Sequence, residues 1–335
     1  MAVADFISGY NVIRKLGDGA RSQVFQVVRV STGEVFALKR VTRESHEDTR
    51  FLDQAINGHE IAHQLSHPYL RRSVELRRIR RLLKLVEVQV IMEFVDGRGL
   101  SQRRPERLDK TIDVFLKVAE GLNHMHEHGL LHTDIKPNNI LLTNDGSVKI
   151  IDFGQSCRIG FRKPRIQGTP DYIAPEQVER RSLTRRTDVF NLGATLYWAL
   201  TGQAYPTVIG KGGQRQDARR QDLVPTPRAL RDDVPAGLSR FVMECCLHDP
   251  LQRPKDMKEV LARLKTIQHV LKREDSSGEE TSPSEPAAPS SPKSVPGDEP
   301  HSTGAGREGM YDFSAFQDLV EENDPDSQSE QGGKT

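Results

Sequence analysis

The run His132-Thr133-Asp134-Ile135-Lys136-Pro137-Asn138-Asn139, followed thirteen residues after Asn139 by Asp152-Phe153-Gly154, constrains this chain more than any other stretch. Within about twenty residues it offers a candidate proton acceptor, Asp134, a lysine suited to facing phosphate, Lys136, and two side chains suited to a metal ion, Asn139 and Asp152. Phosphoryl transfer needs those parts, because its catalysis is mostly positioning plus neutralisation of charge spread over oxygens. An isolated Asp or Asn is ordinarily a surface or cap residue. Four such residues at these spacings are a functional signal.

At 335 residues the chain is long enough for two lobes with a real core. Its 36% hydrophobic and 28% charged residues read as globular, diluted by a polar segment. No apolar run approaches the roughly 20 residues needed to cross a bilayer, so no membrane anchor is expected. The start Met1-Ala2-Val3-Ala4-Asp5 lacks the basic and apolar regions of a secretory signal. Cys157, Cys245 and Cys246 form neither a metal-ligand spacing nor an even disulfide set, which suits a reducing interior. A cytoplasmic protein is expected.

The net charge of +1 hides an asymmetry. Residues 274–335 hold 15 acidic against 3 basic side chains, a net of −12, which leaves 45 basic against 32 acidic in 1–273, a net of +13. Either the tail is simply solvated, or it folds back and docks on the basic body. Residues 276–304 are rich in Ser, Pro, Glu and Gly and cannot bury enough surface to offset chain entropy. The expectation is a disordered acidic tail over 272–335. One island, with Met310, Tyr311, Phe313, Phe316, Leu319 and Val320 near helical spacing, reads as a short docking helix over 309–322 or as incidental aromatics.

Ahead of the tail, Val12-Ile13, Gln23 to Val30 and Val35 to Arg40 read as strands, with a turn at Ser31-Thr32-Gly33-Glu34. Asp53 to Leu65 has helical spacing and stops before His67-Pro68, and Val88 to Val95 is a further apolar run. From Leu108 onward helices dominate, with Ile112, Phe115, Leu116, Ala119, Leu122 and Met125 on one face. A small β-rich lobe followed by a larger helical lobe is implied.

The motifs occur in one order along the chain. Gly17-Asp18-Gly19-Ala20-Arg21-Ser22-Gln23-Val24 lies between two predicted strands, where glycines let backbone N–H groups approach phosphates. Lys39, in Phe36-Ala37-Leu38-Lys39, follows Val24 by fifteen residues. Gly168-Thr169-Pro170-Asp171-Tyr172-Ile173-Ala174-Pro175-Glu176, Asp188 in Asp188-Val189-Phe190-Asn191-Leu192-Gly193, and Arg253 come later. Together these resemble the protein kinase superfamily over roughly Tyr10 to Leu271, closest to the eukaryotic-type serine/threonine kinases found in bacteria. The resemblance implies an α+β, bilobal protein-kinase fold. Its small lobe would cover 10–95 and its large lobe 96–271, after a lead of nine residues.

The roles that follow are implied by that resemblance. Asp134 accepts or orients the proton of a substrate hydroxyl, Lys136 neutralises the moving phosphoryl group, and Lys39 holds the α- and β-phosphates. Asn139 and Asp152 hold Mg²⁺, with Mn²⁺ as an alternative. Gly17, Asp18, Gly19, Ser22, Val24, Ala37, Lys39, Glu93, Val95 and Leu141 form the ATP-binding set, with backbone groups of Glu93 and Val95 on the adenine edge and Met92 guarding the rear pocket. Asp188 anchors the catalytic loop and Arg253 salt-bridges Glu176. The substrates would be proteins with Ser or Thr acceptors.

Three departures stand out. Ser22 replaces the third glycine of the phosphate loop. The helix glutamate that usually pairs with the strand lysine falls on Gly58, and the nearest carboxylate, Glu60, is about 200° around a helix. Either Glu60 reaches Lys39 by a register shift, which is favoured, or another residue substitutes, or the pair is absent. This is the strongest argument for a rival reading, a nucleotide-binding pseudokinase scaffold. Thr133 replaces the arginine that commonly receives a phosphorylated activation loop, so activity independent of phosphorylation in 155–167 is expected. The arginines Arg71, Arg72, Arg77, Arg78, Arg80 and Arg81 read as a solvated face, or as a dock for an acidic partner. Nucleic acid is not expected, because no aromatics are interleaved for base stacking. Cys157 reads as a packing residue.

Overall fold

The computed structural model describes residues 7–19, 21–45, 48–207 and 223–278. In chain order it has β1 (Tyr10–Gly19), β2 (Ser22–Arg29), β3 (Val35–Thr42), α1 (Thr49–His63), β4 (Ser73–Arg81), β5 (Lys84–Glu93), β6 (Gly97–Gly99) and α2 (Leu108–Glu127). Then follow β7 (Leu130–Leu131), β8 (Ile140–Thr143), β9 (Val148–Ile150), β10 (Cys157–Arg158), α3 (Pro175–Val178), α4 (Arg185–Thr201), α5 (Pro227–Leu230), α6 (Ala236–Cys245) and α7 (Met257–Gly278). The five longest strands precede all helices but α1, as the sequence pattern implies.

The first five strands form one antiparallel sheet in the order β1-β2-β3-β5-β4. Side chains alternate between its faces, and the register decides which ones share a side. Phe25, Val27, Phe36, Leu38 and Ile91 pack with Ile7 and Tyr10 into one apolar cluster. Val41, Val88 and Val90 pack with Leu52 and Ala55 of α1 into another. Gly17 pairs with Val24, Val24 with Lys39, and Lys39 with Val90, so these residues lie in one row across the sheet. Ala37, two residues before Lys39, faces the same way and pairs with Met92.

The helical part is organised around α2 and α4. The apolar face foreseen on α2 is buried throughout, from Ile112 to Met125. Each such large side chain contributes about 1.5–3 kcal/mol relative to exposure. In α4 a Cβ on Gly193 would lie 2.5 Å from Cβ of Cys245, so only glycine lets α6 approach this closely. Two smaller sheets, β6-β8-β9 and β7-β10, carry the loops of the candidate site.

Two sequence expectations change. Gln23 to Val30 and Val88 to Val95 shift by a few residues, and β4, rich in arginine, was not foreseen as a strand. Secondly, α7 runs to Gly278, past the boundary expected at 271, because no Gly or Pro interrupts the chain between Met257 and Ser277. Residues from His269 belong to a second compact unit. The remainder of the acidic tail and the candidate helix 309–322 lie outside the described residues, as does Ala20.

Candidate active site

The loop between β7 and β8 is held from beneath by one carboxylate. Asp188, at the start of α4, accepts from the backbone N–H of His132 at 2.9 Å and of Thr133 at 2.7 Å, and pairs with Nε2 of His126 at 2.8 Å. Burial pushes its carboxyl upward, but the bond from His126, the nearby His126 and His132 rings and the backbone donor of His132 bring it net below the usual range. A buried carboxylate with three donors is fully paired, so it can anchor a loop without an uncompensated charge. Thr133 sits at φ 62°, a conformation that costs a β-branched residue about 1–3 kcal/mol and persists only where the surroundings enforce it. Its neighbours do so. Gln177 Nε2 donates to Thr133 O at 2.8 Å, and Thr133 Oγ1 donates to Gln155 O at 2.8 Å.

Asp134 follows directly. Its Oδ1 accepts from Thr169 Oγ1 at 2.8 Å, and its Oδ2 accepts from Asn139 Nδ2 at 3.2 Å and lies 3.0 Å from Lys136 Nζ. Lys136 Nζ also donates to Thr169 Oγ1 at 2.6 Å. The four side chains form one network, in which Thr169 couples the acid to the lysine. Asn139 Nδ2 donates in addition to Asp134 O at 2.8 Å, which turns the amide oxygen of Asn139 away from Asp134.

Asp152 also lies at a positive φ, 63°, where it caps a short turn over Phe153–Gln155 and accepts from Gly154 N. Lys39 Nζ stands 3.4 Å from Asp152 Oδ1. The Lys39 ammonium holds the Asp152 carboxyl well below the usual carboxylate range, with help from Lys136 and Arg71 and against the effect of burial. Asp152 is therefore an anion at neutral pH, and with the Asn139 amide oxygen it offers the hard oxygen donors that Mg²⁺ or Mn²⁺ requires.

The structure thus gathers Asp134, Lys136, Asn139, Asp152 and Lys39. Val24 and Ala37 share the face of Lys39, and Gly17 and Asp18 lie at the end of β1 opposite Val24 and Gln23. A Cβ on Gly19 would lie 2.7 Å from Ser22 Oγ, so the serine in the third glycine position fits against a true glycine. Glu93 N donates to Arg72 O at 2.9 Å, so this N–H is already engaged within the protein. Its side chain pairs with Lys149 at 2.7 Å. Val95 O accepts from Gly97 N, and Leu141 pairs with Gly99 and Lys149 in the second sheet.

Two expectations are corrected. Glu60 does not reach Lys39; it pairs with Arg78 at 3.4 Å on the exposed side of α1, and Lys39 takes Asp152 instead. The reason is close packing. A Cβ on Gly58 would lie 3.1 Å from Gly154 N, and Asn57 Nδ2 donates to Gly154 O and Ser156 O, so α1 rests directly on the loop that carries Asp152. Arg71 also leaves the group of solvated arginines. It is partly buried, and desolvation lowers its guanidinium against the pull of Asp152 and Glu93. Burial meanwhile raises the Cys157 thiol to about 11, in keeping with a packing role.

Sequence reasoning missed Lys163 and Gln177, which bind the segment 155–177 to Thr133. The signal was present in Thr133 itself, since a hydroxyl in place of a guanidinium calls for a donor from elsewhere. The buried Glu176–Arg253 pair, with Nη1 and Nη2 of Arg253 2.9 and 3.0 Å from the two carboxylate oxygens, stands where expected.

Comparison with known proteins agrees with this geometry. The protein kinase domain profile matches residues 10–264. The chain is 26% identical over 278 residues to a probable serine/threonine-protein kinase, PknB, of Lactococcus lactis, covering 78% of this chain and 42% of that protein. It is 24% identical over 281 residues to a probable serine/threonine-protein kinase of Clostridium acetobutylicum, covering 79% and 41%. To the serine/threonine-protein kinase PknK of Mycobacterium tuberculosis it is 29% identical over 272 residues, covering 78% and 24%. The chain spans less than half the length of these relatives. Among the described residues no helix is long and apolar enough to cross a membrane.

Proposed function

This chain belongs to the protein kinase family, and on that premise we propose that it transfers the γ-phosphate of Mg·ATP to serine and threonine hydroxyls of proteins. The observation that carries the reading is the single network of Asp134, Lys136, Asn139 and Thr169. Asp134 orients the acceptor hydroxyl and takes its proton. As the new bond from that oxygen to the γ-phosphorus forms, the bond from phosphorus to the bridging oxygen of ADP breaks. Lys136, placed beside Asp134, neutralises the charge on the moving group, and Lys39 holds the remaining phosphates. Asp152 and the Asn139 amide oxygen would hold Mg²⁺, which would supply charge neutralisation to the phosphates. The free thiols Cys157, Cys245 and Cys246 support a cytoplasmic setting.

Radiolabelled phosphate incorporation by the wild type and by Asp134→Asn tests the reading. Asp134→Asn is expected to lose at least about 10²-fold in rate, the scale of a general base. Equal incorporation by both proteins would remove the enzyme claim. A second reading, a nucleotide-binding scaffold without transfer, draws on one observation: Lys39 pairs with Asp152 and not with a carboxylate on α1. The intact Asp134 network favours the enzyme.

A further inference from the structure

Lys163 is a buried cation that none of the chemistry above uses; its residue is 5% exposed. It lies in the segment between β10 and Gly168, far along the chain from the catalytic loop. Its Nζ donates to Thr133 Oγ1 at 2.8 Å and to Gln155 O at 2.7 Å. Thr133 Oγ1 itself donates to Gln155 O. Ammonium, hydroxyl and carbonyl therefore close a triangle that joins three stretches: the catalytic loop, the residues just after Asp152, and the segment carrying Lys163. An ammonium surrounded by neutral oxygens keeps its charge only if the geometry satisfies its donors. Burial lowers its affinity for the proton, and Cys157, Asp134 and Asp188 act in the opposite sense.

The place of contact gives the triangle its importance. Thr133 immediately precedes Asp134 and is held at a positive φ, so its backbone angles set the direction in which Asp134 leaves the loop. Each polar atom of Thr133 is engaged: N by Asp188, O by Gln177, and Oγ1 by Lys163 and Gln155. The contact also needs a small side chain at position 133. A guanidinium there would put a second cation at hydrogen-bond range of the Lys163 ammonium.

We propose that Lys163 is a positioning residue, an internal cation that clamps the segment 155–167 onto the catalytic loop and holds Asp134 in its working direction with no phosphate on that segment. The proposal rests on the kinase reading and adds to it the device that orders the loop.

The test uses the full chain as wild type, Lys163→Met, Lys163→Arg, Thr133→Val and the double variant Lys163→Met/Thr133→Val. Transfer to dephosphorylated casein and to histone is measured, with mass spectrometry confirming residues 155–167 unmodified. Losing a charge-assisted contact predicts that kcat for Lys163→Met falls about 30-fold while KM for ATP stays within about twofold. Thr133→Val should fall similarly, the double variant no further, and Lys163→Arg should recover most of the rate. In parallel, chymotryptic cleavage after Phe161 should speed up about tenfold in Lys163→Met at unchanged Tm, as a local opening would. The proposal is overturned if Lys163→Met keeps the wild-type kcat, or if it loses kcat, ATP affinity and cooperative unfolding together. Should the wild type transfer nothing, the kinase reading fails, and unchanged cleavage in Lys163→Met and Thr133→Val would still overturn the clamp.

Discussion

The Cβ that Gly58 lacks would lie 3.1 Å from the amide nitrogen of Gly154 and 3.3 Å from its Cα. Helix α1 and the loop that carries Asp152 thus touch backbone to backbone, at the position where the family usually carries a glutamate. The missing carboxylate is part of this packing, and Lys39 has turned to Asp152.

Restoring the glutamate should therefore harm the protein. Gly58→Glu is expected to cost about 1–3 kcal/mol, the range for overpacking a filled site. Differential scanning fluorimetry would show a lower Tm, and phosphate transfer would fall with it. A variant with a higher Tm or a faster transfer rate would contradict the packing account.

Thr169 bridges Asp134 and Lys136 through a single oxygen. Thr169→Ala should lower kcat by about 10- to 100-fold, and Thr169→Ser, which keeps the hydroxyl, should recover most of that rate. Equal rates for the alanine and serine variants would show that the hydroxyl is idle.

The Glu176–Arg253 pair is a stability device, because Arg253 also donates to Leu247 O, Arg186 O and His248 O. Arg253→Met leaves Glu176 buried without its partner. Urea denaturation should report a loss of about 3–5 kcal/mol. A loss below about 1 kcal/mol, the value of an exposed pair, would mean that the pair is solvated in solution.

His132 predicts a pH dependence. Its ring is fully buried, and burial lowers its pKa below the ordinary imidazole value despite the attraction of Asp188 and Asp134. Nδ1 accepts from Asp134 N and Nε2 faces Ile151 O, so the neutral ring is the form that fits. The unfolded chain takes up this proton more readily than the folded one. Stability is full above the unfolded value of about 6.5 and falls as pH drops through the lower, folded value. Tm recorded from pH 8 to pH 5 should be level at first and then decline, less steeply in His132→Gln. A decline of identical slope in that variant would assign the effect to other groups.

Much of the site was readable in advance because its chemistry is local in sequence. Asp134, Lys136, Asn139 and Asp152 lie within nineteen residues on the loops that flank the β8–β9 hairpin, and the spacing of alternating residues around Lys39 shows which face it shares. What escaped detection depends on tertiary approach. Glu60 is the nearest carboxylate to Gly58 along the chain, yet no count of residues reveals that the backbone of α1 lies against Gly154. Arg71 resembles its neighbours in the arginine run, and only the fold turns it inward toward Asp152 and Glu93. Lys163 lies thirty residues beyond Thr133, with nothing local to mark the pairing.

Most of the arginine run lies along β4, one of the two edge strands of the five-stranded sheet, with Leu82 and Leu83 exposed at the turn that follows. An edge strand beside two exposed leucines is the kind of margin on which another molecule can zip. Here two copies meeting along that margin would bring Arg77, Arg78, Arg80 and Arg81 against their own kind. The repulsion fades as counter-ions accumulate, so concentrated solutions of this protein should stay clear in dilute buffer and turn cloudy in strong brine.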